Sequence, residues 1–218
     1  MALARTTFLE AVNRVLQMLG EAPVNGLDGQ FGLAQQAQDM LNDTSRKVQS
    51  EGWSFNTDYE RLLMRDAVTS EISVGANVSR VKVDPYSYPD VDVIQRGARL
   101  YDRRAGSYEF DEDLRADVTY ILEWDEVPEY AHQYFTIKAR YELALAHARL
   151  SLAGSKDIKL TVGERADMAL VSTEDLHMKM ATAEALVRAS RANASRIRVQ
   201  VDIARSIGTS VRTSMDLA

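Results

Sequence analysis

The sequence predicts an α+β chain: a helical bundle built from N- and C-terminal helices, a central antiparallel β portion, and an extended C-terminal arm. Three observations predict it. Apolar residues recur at three- and four-residue spacing near both ends, over 7–51 and 128–194. Short aromatic and β-branched runs separated by Gly, Pro, Asn and Asp fill the middle. A period-two alternation follows residue 195. The expected organisation is a helical bundle domain from 1–52 and 127–194, a β-rich domain over 53–126, and an arm over 195–218.

From Thr6 to Leu19, the residues Phe8, Val12, Val15, Leu16 and Leu19 fall on one helical stripe, Thr6 or Thr7 offers an N-cap, and Gly20 follows as a stop. The turn formers of Gly20–Gly29 cannot continue that helix and predict a loop. A second helix over 31–51 aligns Leu33, Ala37, Met40, Leu41, Thr44 and Val48 and ends at Gly52. The two stripes can pack as a helical hairpin.

Strands are expected over 55–63, 71–74, 79–83, 92–95, 99–102 and 117–124. Val81 with Val83, and Val118, Tyr120, Leu122 and Trp124, alternate with polar residues, so each strand has one buried and one wet face. That pattern favours an antiparallel sheet. Val127-Pro128-Glu129 restarts helix with proline in the opening turn, and Phe135, Ala139, Leu143, Ala146 and Leu150 carry a stripe to Gly154. Gly163 opens another helical stretch, with Met168, Val171, Leu176, Met180, Ala183 and Val187 on its stripe, running to Ala194. Ile197, Val199, Val201 and Ile203 then alternate with Arg198, Gln200 and Asp202, which reads as a lone strand. The last residues to Ala218 are small and polar, and are expected to be mobile in the free protein. A strand with nothing after it to pair with suggests an arm that joins the sheet edge of a neighbour, unless it closes the chain's own sheet.

The chain has 218 residues, 45% of them hydrophobic and 27% charged, enough to bury a core. No run approaches the roughly 18 apolar residues of a membrane span, and Met1–Leu9 lacks the order of a signal peptide, so a cytosol-like compartment and no membrane anchor are expected. The absence of cysteine excludes disulfides, thiolate metal sites and cysteine nucleophiles. The net charge of -6 is unevenly spread: Asp102–Glu129 is crowded with acids and Arg188–Arg212 is almost purely basic. Different partners at the two regions would explain it, as would a solvated acidic face beside a basic tail.

The three histidines, His132, His147 and His177, lie on predicted helices outside any nucleophile elbow and are expected at surface or capping positions. No zinc-protease or calcium-loop spacing occurs, and no phosphate-binding loop, so no metal or cofactor is expected. The acidic run Asp111-Glu112-Asp113, with Asp117, Glu123, Asp125 and Glu126 beyond it, could supply paired carboxylates for glycoside hydrolysis. A solvated acidic loop is the plainer account. The tyrosines of the β region, Tyr86, Tyr88, Tyr101, Tyr108 and Tyr120, sit in sequence among acids, which argues against tight nucleic-acid binding.

Gly20-Glu-Ala-Pro-Val, Gly52-Trp-Ser-Phe-Asn56 and Val93-Ile-Gln-Arg-Gly-Ala-Arg-Leu-Tyr-Asp102, in this order between a helical hairpin and strands, resemble the tail tubular protein A family of T7-like podophages over residues 8–150. The resemblance implies a non-enzymatic virion tail protein, present in the host cytoplasm during assembly. It implies a dodecameric ring that joins the portal protein to the tail nozzle protein of the tail tubular protein B type, with genomic DNA passing through unbound. On that reading the arm residues Arg188, Arg191, Arg196, Arg198, Val199, Val201 and Ile203 would meet the portal, and Asp111, Glu112 and Asp113 would face the channel or nozzle. A transient assembly factor and a wall-degrading tail hydrolase are the alternatives.

Overall fold

A computed structural model describes residues 5–29, 32–154 and 161–216, with side chains at most positions up to Gln200. The first helix, α1 (Phe8–Met18), starts at a capping box: the Thr7 hydroxyl accepts the Glu10 N–H at 3.2 Å while the Glu10 carboxylate accepts the Thr7 N–H at 2.9 Å. The turn that follows is pinned by Asn13, whose amide donates to Val24 O at 2.9 Å and accepts the Val24 N–H at 2.8 Å. Then come α2 (Leu33–Ser50), α3 (Glu129–Gly154), α4 (Val162–Ser172) and α5 (Glu174–Asp216). Their shared core holds Val12, Val15 and Leu16 of α1, Leu41 and Val48 of α2, Phe135, Ala139 and Leu143 of α3, and Val187 of α5. Helices from both ends of the chain thus make one bundle.

The β portion has its own core of Leu63, Ile72, Val78, Leu100, Phe110, Leu114, Ala116 and Val118. Its strands are β1 (Thr57–Leu63), β2 (Val78–Val83), β3 (Val93–Arg96), β4 (Arg99–Asp102) and β5 (Leu114–Tyr120). An antiparallel sheet runs in the order β1-β5-β2, with Leu63 opposite Leu114 and Val81 opposite Val118. β3 and β4 form a separate hairpin, closed by a two-residue turn in which Gly97 has φ 63.

Two chain crossings, after Gly52 and before Val127, join the halves. Gly52 has φ +79, and a Cβ there would lie 2.4 Å from Arg80 Nη2, so the conformation and the space both suit glycine. Asn56, buried, donates to Gln49 O at 2.8 Å and to Tyr120 O at 2.6 Å and accepts the Trp53 N–H at 2.8 Å. Gln49 donates to Leu122 O at 3.1 Å and accepts the Leu122 N–H at 2.8 Å. These two amides lash the end of α2 to both crossings.

Several expectations change. The expected strand 117–124 is shifted toward the N-terminus, because Leu122 and Trp124 pack on the helical core and the chain turns through a single 3-10 turn at Trp124–Glu126. Residues 71–74 make only isolated bridges, Glu71 with Glu109 and Ser73 with Arg99. The helix expected over 163–194 is two helices, broken at Thr173, whose hydroxyl turns back to Ala169 O. The expected strand over 197–203 is α-helix, part of α5, which continues to Asp216. The same residues carry a second period: Ile197, Val201, Ala204, Val211 and Met215 recur at helical spacing in a sequence rich in Ala and Arg. Period two decides nothing where no sheet edge pairs with it, and local helix propensity wins.

Candidate functional site

No helix among the described residues is long and apolar enough to cross a membrane, and no group of three or more His, Asp or Glu residues among them could hold a metal ion. The distinctive features are surfaces.

One is the stretch of α5 from Arg188 to Gln200. The first half of α5 packs on α3, and burial there follows a heptad: Leu176, Met180 and Ala183 are partly covered and Val187 is 5% exposed. From Arg188 to Gln200 every residue whose side chain is described is exposed, including Ile197 at 58% and Val199 at 55%. At helical rise, the stretch from Arg188 to Asp216 is about 43 Å long. Tyr134 of α3 neighbours Glu184 and Arg188, while Tyr141 touches His177, so α3 and α5 run antiparallel. Beyond Arg188 the helix therefore runs past the first turn of α3, the end at which the β portion is attached. Arg188 pairs with Glu184 one turn back, and Arg196 and Val199 are exposed. Arg191, Arg198, Val201 and Ile203 lie on the same helix, with side chains outside the described set.

Beside it, α3 and α5 leave an apolar groove of about 500 Å³ lined by Tyr130, Tyr134, Ile137, Met178 and Leu186. Met178 and Leu186 are 60% and 70% exposed along one wall of it. Burial pushes the Tyr134 hydroxyl up to about 12, helped by the carboxylates of Glu184, Glu51 and Glu142. Sequence reading missed this groove. Its signal was present: Met178, Thr182 and Leu186 form a second stripe out of phase with the buried one.

The acidic residues Asp111, Glu112 and Asp113 are exposed in the turn before β5. Asp113 accepts the Arg65 N–H at 2.9 Å, so that carboxylate already shapes the turn. Three of the β-portion tyrosines carry an arginine over the ring. Arg96 lies 3.6 Å from the Tyr101 ring centre, Arg99 4.3 Å from Tyr108 and Arg61 5.6 Å from Tyr120. Strand pairing brings these arginines onto rings that in sequence stand among acids.

His132 corrects another expectation, being 1% exposed rather than at the surface. It stacks on Trp124 at 4.3 Å, donates from Nε2 to Trp124 O at 2.7 Å, and presents Nδ1 to Glu129 Oε2 at 3.4 Å. Glu129 also accepts the Thr6 N–H and hydroxyl, and Trp124 Nε1 donates to Thr6 O. The node binds the N-terminal residues to the junction. His147 is half-buried and His177 exposed.

Compared with known families, the chain matches the model described as tail tubular protein over residues 9–179, more than half its length. The chain belongs to the tail tubular protein family. It is thus a structural protein of a phage tail, located in the virion tail, and not an enzyme. Comparison with curated proteins returns no match. In this tail tubular protein the family match covers α1 to α4 and the β portion and ends at Lys179, so the α5 residues Thr182, Leu186 and Val187 of the groove and core lie beyond it.

Proposed function

We propose that this protein is a subunit of an oligomeric ring, dodecameric on the resemblance noted above, that joins the portal to the tail nozzle and forms part of the channel for the genome. The observation that carries the proposal is the exposed stretch of α5 from Arg188 to Gln200. A solvated helix with Ile197 and Val199 exposed is stabilised when another molecule covers it, and a virion tail protein has such molecules at hand. The two cores support it as well, since a bundle and a separate β portion offer different faces to two different neighbours.

The β portion suits a DNA channel electrostatically. Over residues 53–126 there are 16 acids against 9 bases, a net charge of -7, and phosphates repelled by such a surface do not stick. Asp111, Glu112 and Asp113 are our candidates for the channel or nozzle side. Light scattering on the 24.4 kDa chain, with and without portal protein, tests the proposal. A ring-sized complex with portal is the expected result. A monomer indifferent to portal would overturn it.

A further inference from the structure

We infer that Arg140, with Arg14 beside it, is a binding site for a carboxylate presented by a neighbouring protein of the tail. The inference needs the place in a phage tail that the family gives, and not the ring.

Arg140 lies on α3 between two other helices, with Arg14 of α1 and Asp175 at the start of α5 as its charged neighbours. Its Nε is buried and has no hydrogen-bond partner. Neither Arg140 nor Arg14 makes an ion pair or hydrogen bond with any described residue. Along α3, the residues one turn away from Arg140 are Thr136, Ile137, Leu143 and Ala144, none of them acidic. Asp175 is already engaged, with its Oδ2 2.6 Å from Lys179 Nζ. Burial, and then repulsion from Arg14, hold the Arg140 guanidinium below its ordinary pKa in spite of Asp175.

The arrangement reverses what the rest of the chain does. Arg61, Arg99 and Arg103 are more exposed than Arg140, and each has a carboxylate within 2.9 Å. The arginine withdrawn furthest from water, where desolvation makes an anion most valuable, has a second cation beside it instead. A carboxylate brought in from outside would complete the site, since guanidinium groups fork onto planar oxyanions. Duplex DNA fits it poorly. Its backbone brings a charge about every 1.7 Å, and Glu174 and Asp175 open α5 at this place. One acidic side chain brings a single charge and avoids that repulsion.

The test uses the full-length chain with Arg140→Met, which keeps the apolar stem and removes the charge. Free of ligand, this variant should melt at or above the parent temperature, by up to about 4 °C. A lower melting temperature would overturn the inference, because it would show that contacts within the chain already hold Arg140.

Citrate serves as the probe, compared with chloride at equal ionic strength. It should raise the melting temperature of the parent by about 2 °C more than that of Arg140→Met or Arg14→Gln. Equal shifts in all three proteins would overturn the site, and a larger shift with phosphate than with citrate would overturn the carboxylate as its ligand. In assembly with portal protein, Arg140→Met should lose at least about tenfold in affinity. Assembly of this variant at the affinity of the parent would remove a tail neighbour as the source of the carboxylate. If the parent itself does not assemble, the ring proposed above is lost, while the citrate comparison still decides the site.

Discussion

Replacing Glu129 by Gln tests how the N-terminal residues are held to the junction. The Glu129 carboxylate accepts the Thr6 hydroxyl at 2.6 Å and the Thr6 N–H at 2.8 Å, across more than half the chain. These bonds, the hydroxyl foremost, hold its pKa at about 2 against an ordinary 4.5. Because the folded value is depressed, the stabilisation is complete above the unfolded value near 4.5 and is lost as pH falls from there toward 2. Taken unscreened, such a shift corresponds to about 3 kcal/mol. The side chain is 39% exposed, and water screens it, so we expect about 1 to 1.5 kcal/mol. Glu129→Gln keeps the shape and one acceptor but removes the charge. At pH 7 it should lower the melting temperature by about 2–5 °C, and the two proteins should converge as pH is taken from 5 to 2 in calorimetry. A gap that stays constant with pH, or one that widens in acid, would refute the reasoning.

Asn56→Ala should cost about 2 to 3 kcal/mol in urea denaturation, because it removes the amide oxygen that accepts the buried Trp53 N–H and the donor shared by Gln49 O and Tyr120 O; a cost below about 1 kcal/mol would mean the junction is held by other contacts. Val199→Pro should reduce the helical circular-dichroism signal while leaving the melting of the bundle unchanged, since Val199 lies in a stretch of α5 whose described side chains are all exposed. An unchanged signal would return the segment to the strand that its alternation suggests.

The bundle was legible because its helices obey one rule at a time. Phe8 to Leu19 and Leu33 to Val48 show a single stripe, a cap and a glycine stop, and each stripe found its partner. The β strands were legible from short β-branched runs, but their ends were not: Leu122 and Trp124 keep the alternation of β5 although they belong to the other core. The segment 197–203 misled because Ile, Val and Arg were placed so as to satisfy two periods, and the sequence does not say whether an edge is available. The α3–α5 groove went unread because Met178 and Leu186 look like ordinary helix surface until α3 is laid beside them. His132 was misplaced for a similar reason, since its burial depends on Trp124, a residue eight positions away that only the 3-10 turn brings onto its ring.

The two adjacent crossings between bundle and β portion bear on how a tail withstands force. A lobe hung on one strand of chain can swivel, and tension concentrates on whichever bond is weakest. Here the load divides between the Gly52–Trp53 and Trp124–Val127 connections, and Gln49 and Asn56 bridge them so that neither can lengthen without shearing hydrogen bonds shared with the other. Torque on the β lobe meets a doubled, cross-braced neck, so a pull at one end of the subunit is passed to the other with little rotation lost between them.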